Sequence, residues 1–234
     1  MNTMRRGRRS RGQQATSTTS VKPGMPGGRY RPLTGSDEKQ IHQTVLDVLE
    51  NIGMGDPIPI VKERALKRGC FINEHERLCF PRSLVEDVIA STPKNVQLMG
   101  RDPMHDLEIG GTRVHTYGGG EAVNMLDIGA STYRPSTLLD IYDAARLTDQ
   151  MANIHAFSRL VVATEIEDQL SCDINSAYAS AAGTNKHLQL TFAEAAHVQP
   201  TLEMLYMIAG GKENYHERPF ANGGGCPVIS PLRY

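Results

Sequence analysis

Three apolar, β-rich runs recur at intervals of about 33 residues in the second half of this chain. They begin at Ile154 (IHAFSRLVVA), His187 (HLQLTF) and Pro219 (PFANGGGCPVIS), and a helix-compatible stretch fills each gap. An eight-fold parallel barrel uses ~250 residues for eight strand–helix units, or about 31 per unit. The interval here is close to that, and Tyr234 follows directly after the third run. The expectation is therefore an α/β fold: the first three strand–helix units of a (β/α)8 TIM barrel, as the front part of a longer enzyme. The three strands should be parallel neighbours in one sheet, in sequence order, joined by right-handed helical crossovers.

Helix signals place the units. Thr137-Leu138-Leu139-Asp140 matches a capping box, and Leu138, Ile141, Tyr142 and Ala145 continue on one face. A small-residue helix is expected over about Asp173–Ala182, stopped by Gly183, and another over about His197–Ile208, stopped by Gly210-Gly211. The region before the barrel, residues 30–133, has no strand–helix repeat. It predicts a helix over about 37–52 with Ile41, Val45, Val48, Leu49 and Ile52 on one face, and a helix over 59–68. A hairpin turning at Asn73–Glu76 follows, then a helix opened by Pro81, and then a β meander over 96–133. Three segments result: a basic arm (1–29), a helical and β-meander layer (30–133) and a partial barrel (134–234).

The arm carries Arg5, Arg6, Arg8, Arg9, Arg11, Lys22 and Arg29 among Ser, Thr, Gly and Pro, and the first acidic residue is Asp37. With almost nothing apolar to bury, it is expected to be a disordered, solvated tail. Over the whole chain the net charge is only −1. The ordered region lacks basic stripes with interleaved aromatics, which counts against a nucleic-acid partner. No run of 18 apolar residues suggests a membrane span, and no apolar core makes the N-terminus a secretory signal. Cys70, Cys79, Cys172 and Cys226 form no CxxC pair, so reduced thiols in a cytoplasmic protein are expected. The eight histidines show no zinc-ligand spacing, and no metal site is expected.

Two glycine runs fail as nucleotide motifs. Gly118-Gly119-Gly120 is not followed by the rest of a dinucleotide fingerprint, and Gly210-Gly211-Lys212 lacks the Ser or Thr of a phosphate loop. Gly223-Gly224-Gly225 differs because it ends the third strand, and barrel active sites lie at the C-terminal ends of strands. The same rule nominates candidate substrate-binding residues: Glu165 after the first strand, Thr191, Phe192 and Glu194 after the second, and Asn222 and Cys226 at the third. Glu194 suits a base or a seat for a cationic group, and equally a helix N-terminal charge. Cys226 suits a nucleophile or, with no positioned histidine in view, a buried thiol. Lys186 and His187 start the second strand, where roles in stability are usual.

Several runs carry a family resemblance: GRDPMHDLEIGG (100–111), GGGEAVNMLD (118–127), YRPSTLLDIYDAARLTDQMANIHAFSR (133–159), YASAAGTNKH (178–187) and NGGGCPVISPLR (222–233). With the arginine-rich start and YRPLT (30–34), they resemble the trimethylamine methyltransferase family across nearly the whole chain from Tyr30. The resemblance implies a (β/α)8 fold and transfer of a methyl group from a methylated amine, trimethylamine or a quaternary amine such as glycine betaine, to the cobalt of a corrinoid held by a separate protein. It implies no cofactor bound directly by this chain, and a homo-oligomer at full length. Family members are roughly twice as long. The pyrrolysine that separates trimethylamine enzymes from their relatives lies in the later half, so the resemblance transfers no catalytic residue to a position here. A quaternary ammonium suits aromatic faces at ~0.5–2 kcal/mol per ring. The chain has no Trp, and Phe192 is the one aromatic expected near the rim. The alternative of another class is a non-catalytic partial barrel that acts as a binding module with a basic arm.

Overall fold

The computed structural model describes residues 21–225 and 228–234; most of the basic arm and Cys226 lie outside them. What the described chain shows of the arm is tied down. Strand β1 (Met25–Pro26) pairs antiparallel with Arg113–Val114, and Gly24 N and Gly27 N donate to the carbonyls of Val114 and Thr112 at 3.0 and 2.7 Å. The segment expected to be a solvated tail up to Arg29 is therefore an edge partner of the meander from residue 24. Backbone pairing needs no apolar side chains, which is why composition did not reveal it.

Helix α1 (Gly35–Asp47) opens with a capping box, in which Thr34 N donates to Asp37 Oδ2 at 2.8 Å and Thr34 Oγ1 caps Asp37 N. It continues into a π-turn over Val48–Ile52 that Gly53 closes at φ +71°. The expected apolar face is not the buried one: Leu46 is buried, whereas Ile41, Val45 and Ile52 are exposed. Helix α2 (Pro59–Leu66) precedes a hairpin of β2 (Phe71–Ile72) and β3 (Leu78–Cys79). Asn73 Oδ1 holds its turn by accepting from His75 N and Arg77 N. Pro81 sits one residue before helix α3 (Arg82–Ser91) rather than opening it.

The meander consists of three short antiparallel pairs. Strand β4 (Asn95–Leu98) pairs with β5 (Leu107–Gly110), β6 (Arg113–Val114) pairs with β1, and β7 (Asn124–Met125) pairs with β8 (Arg134–Pro135). Arg101 joins this layer to the second half by donating to Ala181 O and Asn185 Oδ1, and Arg218 clasps both oxygens of Asp106 at 2.8–3.1 Å.

Helix α4 (Leu138–Gln150) begins where its capping box predicts, with Thr137 N donating to Asp140 Oδ2 at 2.8 Å. After it come β9 (Ala156–Ser158), α5 (Gln169–Gly183), β10 (His187–Thr191), α6 (Val198–Ile208), a short α7 (Lys212–Glu217) and β11 (Ala221–Gly224). Helix α5 starts four residues before the expected point because Asp168 caps it, accepting from Ser171 N at 2.8 Å. Helix α7 was not expected. The three strands are parallel and adjacent in the order β9–β10–β11, with Leu188 opposite Phe157 and Ala221. Among the described residues the architecture is mixed α/β, with small sheets and no closed barrel.

Strand alternation gives the parallel sheet two unlike faces. Phe157, Leu188 and Leu190 are buried in a core with Ile141, Ala145, Ala177, Ala181 and Leu205 from α4, α5 and α6. The residues between them (Ser158, His187, Gln189, Thr191 and Asn222) make the opposite face polar. Residues 116–122 run beside β9 on its outer edge, bridging in parallel at Tyr117–Ala156 and Ala122–Val161. Their glycines permit this approach, since a Cβ on Gly118 would lie 2.5 Å from Leu160 Cδ2. Among the described residues no helix is long and apolar enough to cross a membrane.

Candidate functional site

The C-terminal edge of the parallel sheet gathers a charged cluster from four separate segments. Arg159 follows β9 directly, and its Nε and Nη2 donate to Glu121 Oε1 at 3.2 and 3.0 Å. Thr191, the last residue of β10, donates its hydroxyl to the same oxygen. Asp173, buried in the second turn of α5, stands behind Arg159 with Oδ1 4.0 Å from Nη1. Its other oxygen accepts from Ala193 N at 2.9 Å and from His197 Nδ1 at 2.7 Å, which fastens the loop after β10 to α5. Glu121 arrives by way of the glycine segment beside β9 and holds φ at +49°. A non-glycine residue in that region costs of order 1 kcal/mol, and such residues cluster at functional sites.

The electrostatics are those of one guanidinium between two carboxylates, the buried one in front of the helix layer and the other facing out. The Arg159 side chain is 13% exposed and that of Glu121 is 37% exposed. The outer carboxylate is thus in reach of a ligand, and the arginine behind it is held in place.

Of the residues nominated from sequence that the structure describes, Thr191 alone joins this cluster. Phe192 points to the other face, where a Cβ on Gly223 would meet its ring at 3.0 Å. There it lines an apolar cleft of about 470 Å³ with Leu202 and Leu205. The aromatic expected for a cationic substrate is therefore separated from Thr191 by the thickness of the sheet, because successive strand residues face opposite ways. Glu165 is exposed and accepts from Leu138 N at 2.7 Å, serving the N-terminus of α4. Glu194 is exposed and precedes a 3₁₀ turn (Ala195–His197) in which its carbonyl, not its carboxylate, accepts from His197 N.

Asn222 is the second residue of β11, not its C-terminal end, which is Gly224. Asn222 meets His187 at 3.1 Å, and His187 Nδ1 donates to Met99 O at 2.7 Å. The atom of Asn222 that faces His187 Nε2 is Oδ1. Asn222 is in register with Gln189 and, through it, with Ser158, the residue before Arg159. Cys226 is outside the described residues.

Arg159, Glu121, Asp173 and His197 were missed. Arg159 would have followed from the strand-end rule had the first strand been ended at Ser158 rather than extended through the apolar Leu160–Ala163. Glu121 carried one signal, its place directly after three glycines.

Comparison with known proteins gives this arrangement a family. The model described as trimethylamine methyltransferase (MTTB) matches residues 4–234. A trimethylamine methyltransferase MttB of Desulfitobacterium hafniense (strain DSM 10664 / DCB-2) is 30% identical over 201 residues, covering 85% of this chain and 40% of the relative. One from Methanosarcina thermophila is 27% identical over 86% of this chain and 42% of its own length. A glycine betaine methyltransferase of Desulfitobacterium hafniense (strain Y51) is 24% identical over 88% of this chain and 42% of its own length. The chain thus spans about two fifths of the length of these curated relatives, and it belongs to the trimethylamine methyltransferase family.

Proposed function

We propose that this chain forms the first three strand–helix units of a (β/α)8 methyltransferase that moves a methyl group from a small methylated amine to a corrinoid protein. The observation that carries the reading is the family match over residues 4–234, in a chain with three parallel strands, two of which end in one charged cluster. Catalytic residues at the C-terminal ends of parallel strands are what a barrel enzyme requires. The corrinoid, carried by the separate protein, would supply a nucleophilic Co(I) as acceptor of the methyl, and the bonding pair would stay on nitrogen. The work of this chain is to hold the amine so that one methyl faces outward, and to exclude water around it. Thr191, Glu121 and Arg159 are the groups available for holding, since they converge at the edge where a second protein has access. A cytoplasmic location and a homo-oligomeric full-length enzyme accompany this reading.

The test is to express the reading frame that carries this chain and to supply a Co(I) corrinoid protein. Methyl transfer is then followed spectroscopically with trimethylamine and with glycine betaine. Turnover with either amine, lowered at least tenfold by Thr191→Val without loss of folding, is the expected result. No turnover with both would leave the binding-module reading in its place.

A further inference from the structure

Helices α2 and α3 contribute no buried residue between them. Their apolar faces line a groove of about 720 Å³, with Val61 and Ala65 on the α2 side and Leu84, Val85, Val88 and Ile89 on the α3 side. Such a stripe on an amphipathic helix ordinarily faces a core, yet Val88 and Ile89 are 49% and 46% exposed. The charged residues of the lining have one sign: Arg64, Lys67 and Arg68 are there, and no carboxylate is. Lys67 pairs with Glu63 one turn back, an exposed contact that holds it weakly. Arg64 and Arg68 have no carboxylate partner among the described residues, and residues 1–20 contain no Asp or Glu to supply one.

We propose that the α2–α3 groove is a docking site for an acidic amphipathic helix of a separate protein. Apolar side chains one turn apart on that helix fill the groove, and its carboxylates meet Arg64, Lys67 and Arg68. A helix suits these walls because it brings no backbone groups in need of partners. Both walls are helices with internally bonded backbones, and Cys70 N and Phe80 N, between them, already donate to Ala65 O and Leu49 O. An extended segment finds no free N–H at either position. Helix α3 has 10 residues, a length of about 15 Å, which matches about three turns of a partner helix. The arginine-rich arm of this chain has the wrong charge to fill the groove, and the same groove on a second copy repels it likewise. A membrane surface engages protruding apolar residues, whereas these line a concavity. The inference stands apart from the methyl-transfer reading.

The probe is a fluorescent helical peptide of about 14 residues, with leucine on one face and glutamate on the other. Its control is the same peptide with lysine in place of glutamate. Fluorescence anisotropy should show saturable binding of the glutamate peptide and roughly tenfold weaker binding of the lysine peptide. Arg64→Glu combined with Arg68→Glu should reverse that preference. Val88→Ser combined with Ile89→Ser should weaken the glutamate peptide and leave its salt dependence in place. All four positions are exposed, so circular dichroism of the variants should match the parent. Equal affinity for the two peptides, or an unchanged preference in the arginine variant, would overturn the proposal. The peptide comparison needs no variant, so a folding failure does not protect the idea. Two further results would also overturn it. Self-association lost in the Val88 and Ile89 variant, measured by light scattering, would give the groove to a second copy. Co-sedimentation with anionic phospholipid vesicles, lost in the same variant, would give it to a membrane.

Discussion

Lys186 is 4% exposed, yet its ammonium is fully occupied. Nζ donates to the carbonyls of Thr148, Met151 and Ile154 at 2.6, 2.7 and 2.6 Å. Those carbonyls belong to the last turn of α4 and the loop into β9, where a helix leaves acceptors unsatisfied and favours positive charge. Replacement by Met keeps the stem and removes the donors. Thr148 O and Met151 O retain backbone donors, Met151 N at 3.1 Å and Ile154 N at 3.2 Å, so the larger loss falls on Ile154 O. A hydrogen bond from a charged group is worth about 1.5–3 kcal/mol. Against that, burial itself opposes the charge: it pushes the Lys186 pKa below its usual value, and Asp149 only partly pulls it back. Removing a buried charge relieves part of this cost. Lys186→Met should therefore destabilise by about 2 kcal/mol rather than by the sum of three bonds. Urea unfolding followed by circular dichroism measures this as a lower midpoint at unchanged slope. A variant within ~0.5 kcal/mol of the parent, or more stable than it, would mean that desolvation outweighs the three carbonyls.

Three further outcomes are expected. Arg134 hydrogen-bonds Asp140 and holds its carboxyl well below the usual carboxylate range. That contribution is complete above the unfolded pKa near 3.8 and is lost as pH falls through the depressed folded value, so Asp140→Asn should flatten the melting temperature between pH 4 and pH 2. A Cβ on Gly183 would stand 2.5 Å from Ala145 Cβ and 2.9 Å from Tyr142 O, so Gly183→Ala should force α4 and α5 apart and cost about 2 kcal/mol in the same urea assay. A chain beginning at Arg29 should melt below one beginning at Val21, because it lacks the β1–β6 pairing; equal melting temperatures would return residues 21–28 to the status of a passive tail.

Much of the architecture is legible in local sequence because its causes are local. Thr137 and Asp140 lie within one turn and fix the start of α4, and Gly210, at φ +76°, stops α6 by backbone freedom alone. The 33-residue recurrence marks three strands with helices between them, and their parallel adjacency follows from it. Where strands end within an apolar run is not local information. Leu160–Ala163 have strand-forming side chains, yet pairing with β10 stops at Ser158, and the run bonds instead to Ala122, which donates to Leu160 O and accepts from Val162 N. That one difference moved Arg159 to the strand end and hid it from a reading by residue type.

The candidate site depended on tertiary structure almost entirely. Glu121, Arg159, Asp173 and Thr191 come from a meander loop, two strand ends and a helix, and no spacing in the chain relates them. Thr191 and Phe192 are neighbours in sequence and were nominated together, but side-chain alternation sends one to the charged edge and the other to the apolar cleft beneath α6. Sequence determined which segments become strands and helices, since capping, periodicity and glycine act over a few residues. Only the folded register decided which face each strand residue occupies, because that depends on pairing between segments far apart in the chain.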